Sequence, residues 1–154
     1  MTFIIRGLDP SPYRPLFDLP EEALEERGII RMTVNGPTYP CRVSLTDRAE
    51  GESVLLLNHV SNDVTGPYRT SHAIFVTESE EDPAVFVDRV PPMFAQRILS
   101  LRGYDNDGMM VDAVIAQPGQ SEDLIRRLFD DPRVGTIHAH TATRGCFVAR
   151  IERN

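Results

Sequence analysis

The sequence predicts an α+β fold, a mostly antiparallel, twisted sheet with two short helices packed on it. Three observations lead there. Short apolar runs of strand length recur from the first residues to the last, as at residues 3–5, 54–57 and 72–77. Turn chemistry of the hairpin kind separates several of them, notably Asn35-Gly36-Pro37 and Asp105-Asn106-Asp107-Gly108. Only two segments carry the boundary residues of a helix, residues 20–28 and 121–130.

Phe3, Ile4 and Ile5 make a first short strand, and Pro10, Pro12, Pro15 and Pro20 then forbid regular structure, leaving a surface connection. Pro20 with Glu21 and Glu22 opens a helix, because proline and carboxylates both suit a first turn, and Gly28 closes it. A strand over residues 29–34 follows. Val54, Leu55, Leu56 and Leu57 are apolar on both faces, as in a central buried strand over residues 53–59. Residues 72–77 form its counterpart, and the long polar connection over residues 60–71 is the one loop whose length suggests a function. Residues 97–104 and 109–116 pair as a hairpin. Ser121 is the natural N-cap of the second helix, whose stripe of Leu124, Ile125, Leu128 and Phe129 faces the core until Asp130-Asp131-Pro132 stops it. Residues 134–140 and 145–151 complete the sheet. The expected core is Leu55, Leu57, Ile74, Val76, Ile98, Val111, Leu128, Ile137, Phe147 and Ile151.

A chain of 154 residues suits one domain over residues 1–154, able to bury a core without metals or disulfides. The first residues lack the apolar stretch of a signal peptide and no segment is long enough to span a membrane, so a cytoplasmic protein with Cys41 and Cys146 as thiols is expected. A net charge of −7 argues against nucleic acid as a partner. The acidic excess lies in clusters such as Glu21-Glu22 and Glu80-Glu81-Asp82, whereas the last 22 residues carry Arg133, Arg144, Arg150 and Arg153 against Glu152 alone. All 16 cationic side chains are arginine. Without lysine there is no side-chain Schiff base, no pyridoxal phosphate attachment and no phosphate-loop lysine, and any anion is held by a planar guanidinium fork.

The segment from Thr136 to Ile151 holds two histidines, a cysteine and two arginines in one hairpin. A three-residue loop, 141–143, keeps Ile137, Ala139, Phe147, Ala149 and Ile151 together on the core face. That register pairs His138 with Cys146 and His140 with Arg144, and gathers them with Arg150 on the other face, where opposed Cβ atoms sit roughly 5 Å apart. The arrangement admits a thiol activated by an imidazole. It equally admits a metal held by His138, His140 and a thiolate, with Cys41 or His59 as a fourth ligand, or a cysteine merely packed beside histidines. The spacing matches no paired-cysteine motif, and neither a metal nor a cofactor is assigned. Asp105-Asn106-Asp107-Gly108 lacks the glutamate of a calcium loop and reads as a turn. Arg42 and Asp47 suit an ion pair or turn cap at a strand end, with substrate contact as the functional alternative for Arg42. Tyr68 either recognises a ligand or anchors the long loop, and His59 and His72 bracket that loop.

These residues resemble the bacterial family known as domain of unknown function 1203 over nearly the whole chain. The resemblance is carried by residues 24–28, by Pro40-Cys41-Arg42-Val43-Ser44-Leu45 with Asp47 and Gly51, and by Leu55-Leu56-Leu57. It continues in Pro67-Tyr68, Ile74-Phe75-Val76, Tyr104-Asp105, Asp131-Pro132-Arg133-Val134, His138, Gly145-Cys146-Phe147 and residues 151–153. It implies no activity, substrate or cofactor.

The leading expectation is a cytoplasmic domain that binds a small anionic metabolite through Cys41, Arg42, Tyr68 and Arg144. A second is a cysteine/histidine-dependent hydrolase or transferase, in which Cys146 attacks, His138 accepts its proton and Arg144 holds the substrate anion. A third is a non-catalytic interaction protein that self-associates through an exposed strand edge.

Overall fold

The computed structural model describes residues 1–79 and 82–154, so the acidic pair Glu80-Glu81 lies outside the described residues. The fold is α+β, with nine strands in two antiparallel sheets and three short α-helices among the described residues. In chain order the strands are β1 (Phe3–Arg6), β2 (Ile30–Thr33), β3 (Ser53–Asn62), β4 (Thr70–Thr77), β5 (Val85–Val87), β6 (Leu99–Tyr104), β7 (Met110–Ala116), β8 (Thr136–Thr141) and β9 (Phe147–Arg153). The helices are α1 (Arg14–Phe17), α2 (Glu21–Glu25) and α3 (Ser121–Asp130). Six strands pair in the order β5-β1-β9-β8-β6-β7, and β2-β3-β4 form a separate, smaller sheet.

The expected single sheet is therefore divided. One face of the larger sheet buries Phe3, Ile5, Leu99, Leu101, Ile137 and Ile151 against Ile125, Leu128 and Phe129 of α3. A second apolar cluster joins Leu55 and Leu57 of β3 and Ile74 and Val76 of β4 to Leu24 of α2, Tyr13, Cys41 and Val43. The segment Pro40–Asp47 links the two, with Cys41 and Val43 in one cluster and Leu45 in the other. Leu45 is buried with φ of +52°, in the left-handed region that a side chain with a Cβ disfavours.

Several boundaries differ from expectation, each for a local reason. Pro15 falls within the first turn of α1, where a missing N–H costs nothing, so the proline-rich stretch holds one helical turn. Ser121 is the first residue of α3 rather than its cap, and the Gln120 side chain instead accepts the Gln117 N–H at 3.0 Å. β3 and β4 run on past their expected ends to Asn62 and Thr70, which shortens the connection between them to residues 63–69. β5 and the 3-10 turn Pro92–Gln96 were not anticipated, both being too short to show a period. Of the expected core residues, Ile98 is 43% exposed and Val111 is only partly buried, while the other eight are buried.

Candidate functional site

The register of the last hairpin differs from the expected one. His138 pairs with Arg150 and Ala139 with Ala149, after which the register slips and His140 faces Phe147. Val148 is the extra residue of a β-bulge, so Val148 and Ala149 both bury in the larger core while Phe147 turns to the opposite face. The expected pairs His138–Cys146 and His140–Arg144 are not formed. The physical reason is that a strict two-residue alternation cannot foresee one inserted residue, and the loop is one residue longer, closed by the Thr141 N–H donating to the Cys146 carbonyl at 2.9 Å.

The slip brings Phe147 into a seam between the two sheets where all four histidines of the chain meet. Along β3 the inward row runs Leu55, Leu57, His59, and along β4 it runs Val76, Ile74, His72, so each apolar face ends in an imidazole. His72 lies edge-on to His140 with ring centroids 4.8 Å apart. His59, His138 and His140 each lie within 6 Å of the Phe147 ring, at 5.5, 5.5 and 5.8 Å. Hydrogen bonds orient three of the rings at Nδ1: His140 donates to the Gly145 carbonyl at 3.0 Å, and His72 and His59 meet the hydroxyls of Ser61 and Tyr13 at 2.9 and 3.3 Å. His140 Nε2 and His138 Nδ1 are buried without a partner.

Burial makes protonation of these rings costly, and neighbouring arginines add to the cost. His138 is brought down to about 4 by desolvation first, then by Arg150 and Arg102. His140 falls to about 3, again mainly by desolvation, against a smaller opposing effect of its bond to Gly145. His59 and His72 shift the same way, with Arg42 contributing to both. All four are neutral at neutral pH. Among the described residues no group of three histidine, cysteine or carboxylate side chains is placed to hold a metal ion.

The same register aligns a row of cations. Directly opposed residues of an antiparallel sheet share a face, and the pairs Arg6–Arg150, Arg150–His138 and His138–Arg102 are consecutive across β1, β9, β8 and β6. With strands about 4.8 Å apart, this places three guanidinium-bearing positions and one neutral imidazole along roughly 14 Å. Arg150 pairs with Glu152 at 3.0 Å. Among the described residues neither Arg6 nor Arg102 has a carboxylate within ion-pair distance. His138 and Arg150 line a cleft of about 170 Å³ together with Asn62, Val64, Tyr104, Asp105, Asn106, Thr136 and the backbone of Gly108 and Gly135, so the cleft holds one guanidinium and one carboxylate. The Asn62 amide donates to the Tyr68 carbonyl at 2.9 Å and fixes the 63–69 loop over this cleft.

The residues expected to form the site are thus distributed. His138 lines the cleft. Tyr68 reaches it indirectly, edge-on to Tyr104 at 6.2 Å, while Tyr104 packs on His138 at 4.8 Å. Arg42 is 2% exposed and joins the sheets: its backbone N–H donates to Phe75 in β4 and its Nε to the Phe147 carbonyl in β9, at 3.0 and 2.7 Å. Asp47 pairs with Arg97 rather than with Arg42. Cys41 is buried in the smaller core, its sulfur accepting the Thr77 N–H at 3.4 Å. Cys146 is a partly exposed free thiol at the end of the loop, with no imidazole in hydrogen-bond reach among the described residues, and Arg144 stands exposed in that loop. The sequence reading gave Arg6 and Arg102 no role, placed Asn62 only within the long 60–71 connection and named Tyr104 only among the residues that carry the family resemblance. The available signal was the alternation of β6, where Arg102 and Tyr104 stand opposite in phase to Leu99 and Leu101.

No curated protein and no solved structure matches the chain. A family model, described as a protein of unknown function (DUF1203), matches residues 38–153, which include β3, β4, β6, β8, β9 and therefore the seam and most of the cationic row. With that much of its length matched, the chain belongs to the DUF1203 family.

Proposed function

We propose that this chain is a cytoplasmic bacterial domain that binds a small anionic metabolite in the cleft at His138 and Arg150. The observation that carries the reading is the cross-strand row Arg6–Arg150–His138–Arg102, which sets like charges on adjacent strands of one face in a chain of net charge −7. Arg150 is the guanidinium that lines the cleft; Glu152 meets its Nε at 3.0 Å, and a small anion would take charge-assisted hydrogen bonds from the rest of the fork. The cleft, of about 170 Å³, suits a compact acid. Thermal unfolding in inorganic phosphate against chloride at equal ionic strength tests the reading. Phosphate should raise the midpoint for the unaltered chain and lose most of that effect in Arg150→Ala, whereas an equal rise in both would remove the cleft from consideration.

A second reading rests on Arg42 and Cys146. Cys146 is a partly exposed free thiol one residue before Phe147, whose carbonyl accepts from the buried Arg42 Nε at 2.7 Å. In this reading Cys146 is a nucleophile of a hydrolase or transferase with Arg42 as its charge partner. Alkylation of Cys146 half-complete only near pH 8.5, the value of an ordinary thiol, would remove it.

A further inference from the structure

Building on the proposed anion cleft, we infer that its ligand is a compact α-amino acid, whose carboxylate meets Arg150 while its ammonium meets Asp105. Two charges of opposite sign share the cleft. Arg150 and Asp105 line one space of about 170 Å³, and desolvation with the nearby Arg150 and Arg102 keeps His138, which also lines it, neutral. A purely negative ligand gains at Arg150 and is repelled at Asp105, whereas a ligand of both signs gains at each. In a space this small the charged groups of the ligand must stand close together, as they do on one carbon of an α-amino acid. Glu152 meets the Arg150 Nε at 3.0 Å, which leaves the terminal nitrogens of the fork for a carboxylate.

Asp105 is held rigidly and keeps one oxygen unused. Its Oδ1 accepts the backbone N–H groups of Asp107 and Met109 at 3.0 and 2.9 Å, and the Asp105 N–H in turn donates to the Met109 carbonyl at 2.9 Å. Among the described residues its Oδ2 has no donor and no arginine pairs with it. The neutral residues of the same wall add acceptors. Thr136 donates its hydroxyl proton to the Ile151 carbonyl at 3.1 Å, which leaves its oxygen able to accept. Asn106 Oδ1 lies 2.5 Å from where a Cβ on Gly135 would stand, so glycine there makes room for it, and among the described residues it accepts no hydrogen bond. An ammonium brings three donors and a full charge to such a wall, a hydroxyl one donor and no charge, and a methylene neither.

Titration of the full chain with L-alanine, L-lactate and propionate, followed by amide chemical shifts, tests the inference. The three acids differ only at the carbon next to the carboxylate. Alanine should bind at least about tenfold more tightly than propionate, the worth of one charge-assisted hydrogen bond, with lactate weaker than alanine and its shifts centred on Asp105, Thr136 and Arg150. That comparison uses the unaltered chain and depends on no variant. Asp105→Asn keeps the oxygen that holds the turn and replaces only the unused one, so it should bring alanine down to propionate or below while leaving propionate as tight or tighter. Propionate or lactate binding as tightly as alanine, or an alanine preference that survives Asp105→Asn, overturns the inference while leaving anion binding standing. If none of the three acids binds and phosphate does not bind either, the anion cleft itself fails and the inference fails with it.

Discussion

Arg42 shows what a single buried charge does in this molecule. Its guanidinium satisfies the carbonyls of Phe147 and Pro40, one on each side of the junction between the sheets. Arg42→Met keeps the length and the apolar contact of the stem but strands both acceptors, and each buried acceptor left unpaired costs 1–3 kcal/mol. Denaturant unfolding should show a loss of about 3 kcal/mol, and a loss below about 0.5 kcal/mol would deny the junction its dependence on this side chain. Arg102 predicts the opposite sign. It stands in a row of like charges, its Nε donating to the Ser100 hydroxyl at 3.2 Å and its guanidinium meeting the Tyr104 hydroxyl, so Arg102→Ser should leave the unliganded fold as stable or a few tenths of a kcal/mol more stable while weakening anion binding severalfold. Stability and binding measured on the same variant would separate a residue kept for a ligand from one kept for the fold.

At the scale of elements, the path of β1 is set by a close approach that only glycine permits. A Cβ on Gly7 would lie 1.8 Å from the Val43 carbonyl oxygen, which is backbone and cannot move aside as a side chain would. The Gly7 N–H donates to Ala84 at 2.8 Å, and Ala84 in turn donates to Val43, so the strand leaving β1 and the Pro40–Asp47 segment are locked together. Gly7→Ala should cost about 3 kcal/mol or more in unfolding free energy, against a fraction of that for a typical surface substitution. Elements of this kind were legible unequally in the sequence. β3, β4 and α3 were readable because a long apolar run and a 3.6-residue stripe are strong local signals. The hairpin of β8 and β9 was readable in its strands but not in its register, since one bulge residue, Val148, reverses the face of everything between it and the loop. That reversal is why Phe147 was expected in the core with Ile137 and stands among histidines instead. The convergence of His59 and His72 on His138 and His140 was illegible for a different reason: it depends on how two sheets pack, which no local pattern encodes.

The whole molecule is built on a seam of neutral imidazoles flanked by arginines, and its stability must follow their titration. In the unfolded chain each histidine takes up a proton near pH 6.5, whereas in the fold His138 and His140 resist until about 4 and about 3. Their stabilising effect is complete above the unfolded value and is lost as pH falls from there toward the folded values, because over that window the unfolded chain binds more protons. The two groups together outweigh several kcal/mol, a large share of the 5–15 kcal/mol typical of a domain, so unfolding free energy should fall steeply below about pH 6. A curve flat from pH 7 to pH 4.5 would place the rings in water rather than in the seam. The cleft opens at the middle of the cationic row, at Arg150 and His138, and the functional claim rests there. Titrating the isotope-labelled chain with sodium propionate at constant ionic strength, and mapping the amide shifts, addresses it most directly. The account predicts saturable shifts confined to Asn62, Tyr104, Gly135, Thr136, His138 and Arg150, and saturable shifts centred on the Arg144 loop, or none at all, would contradict it.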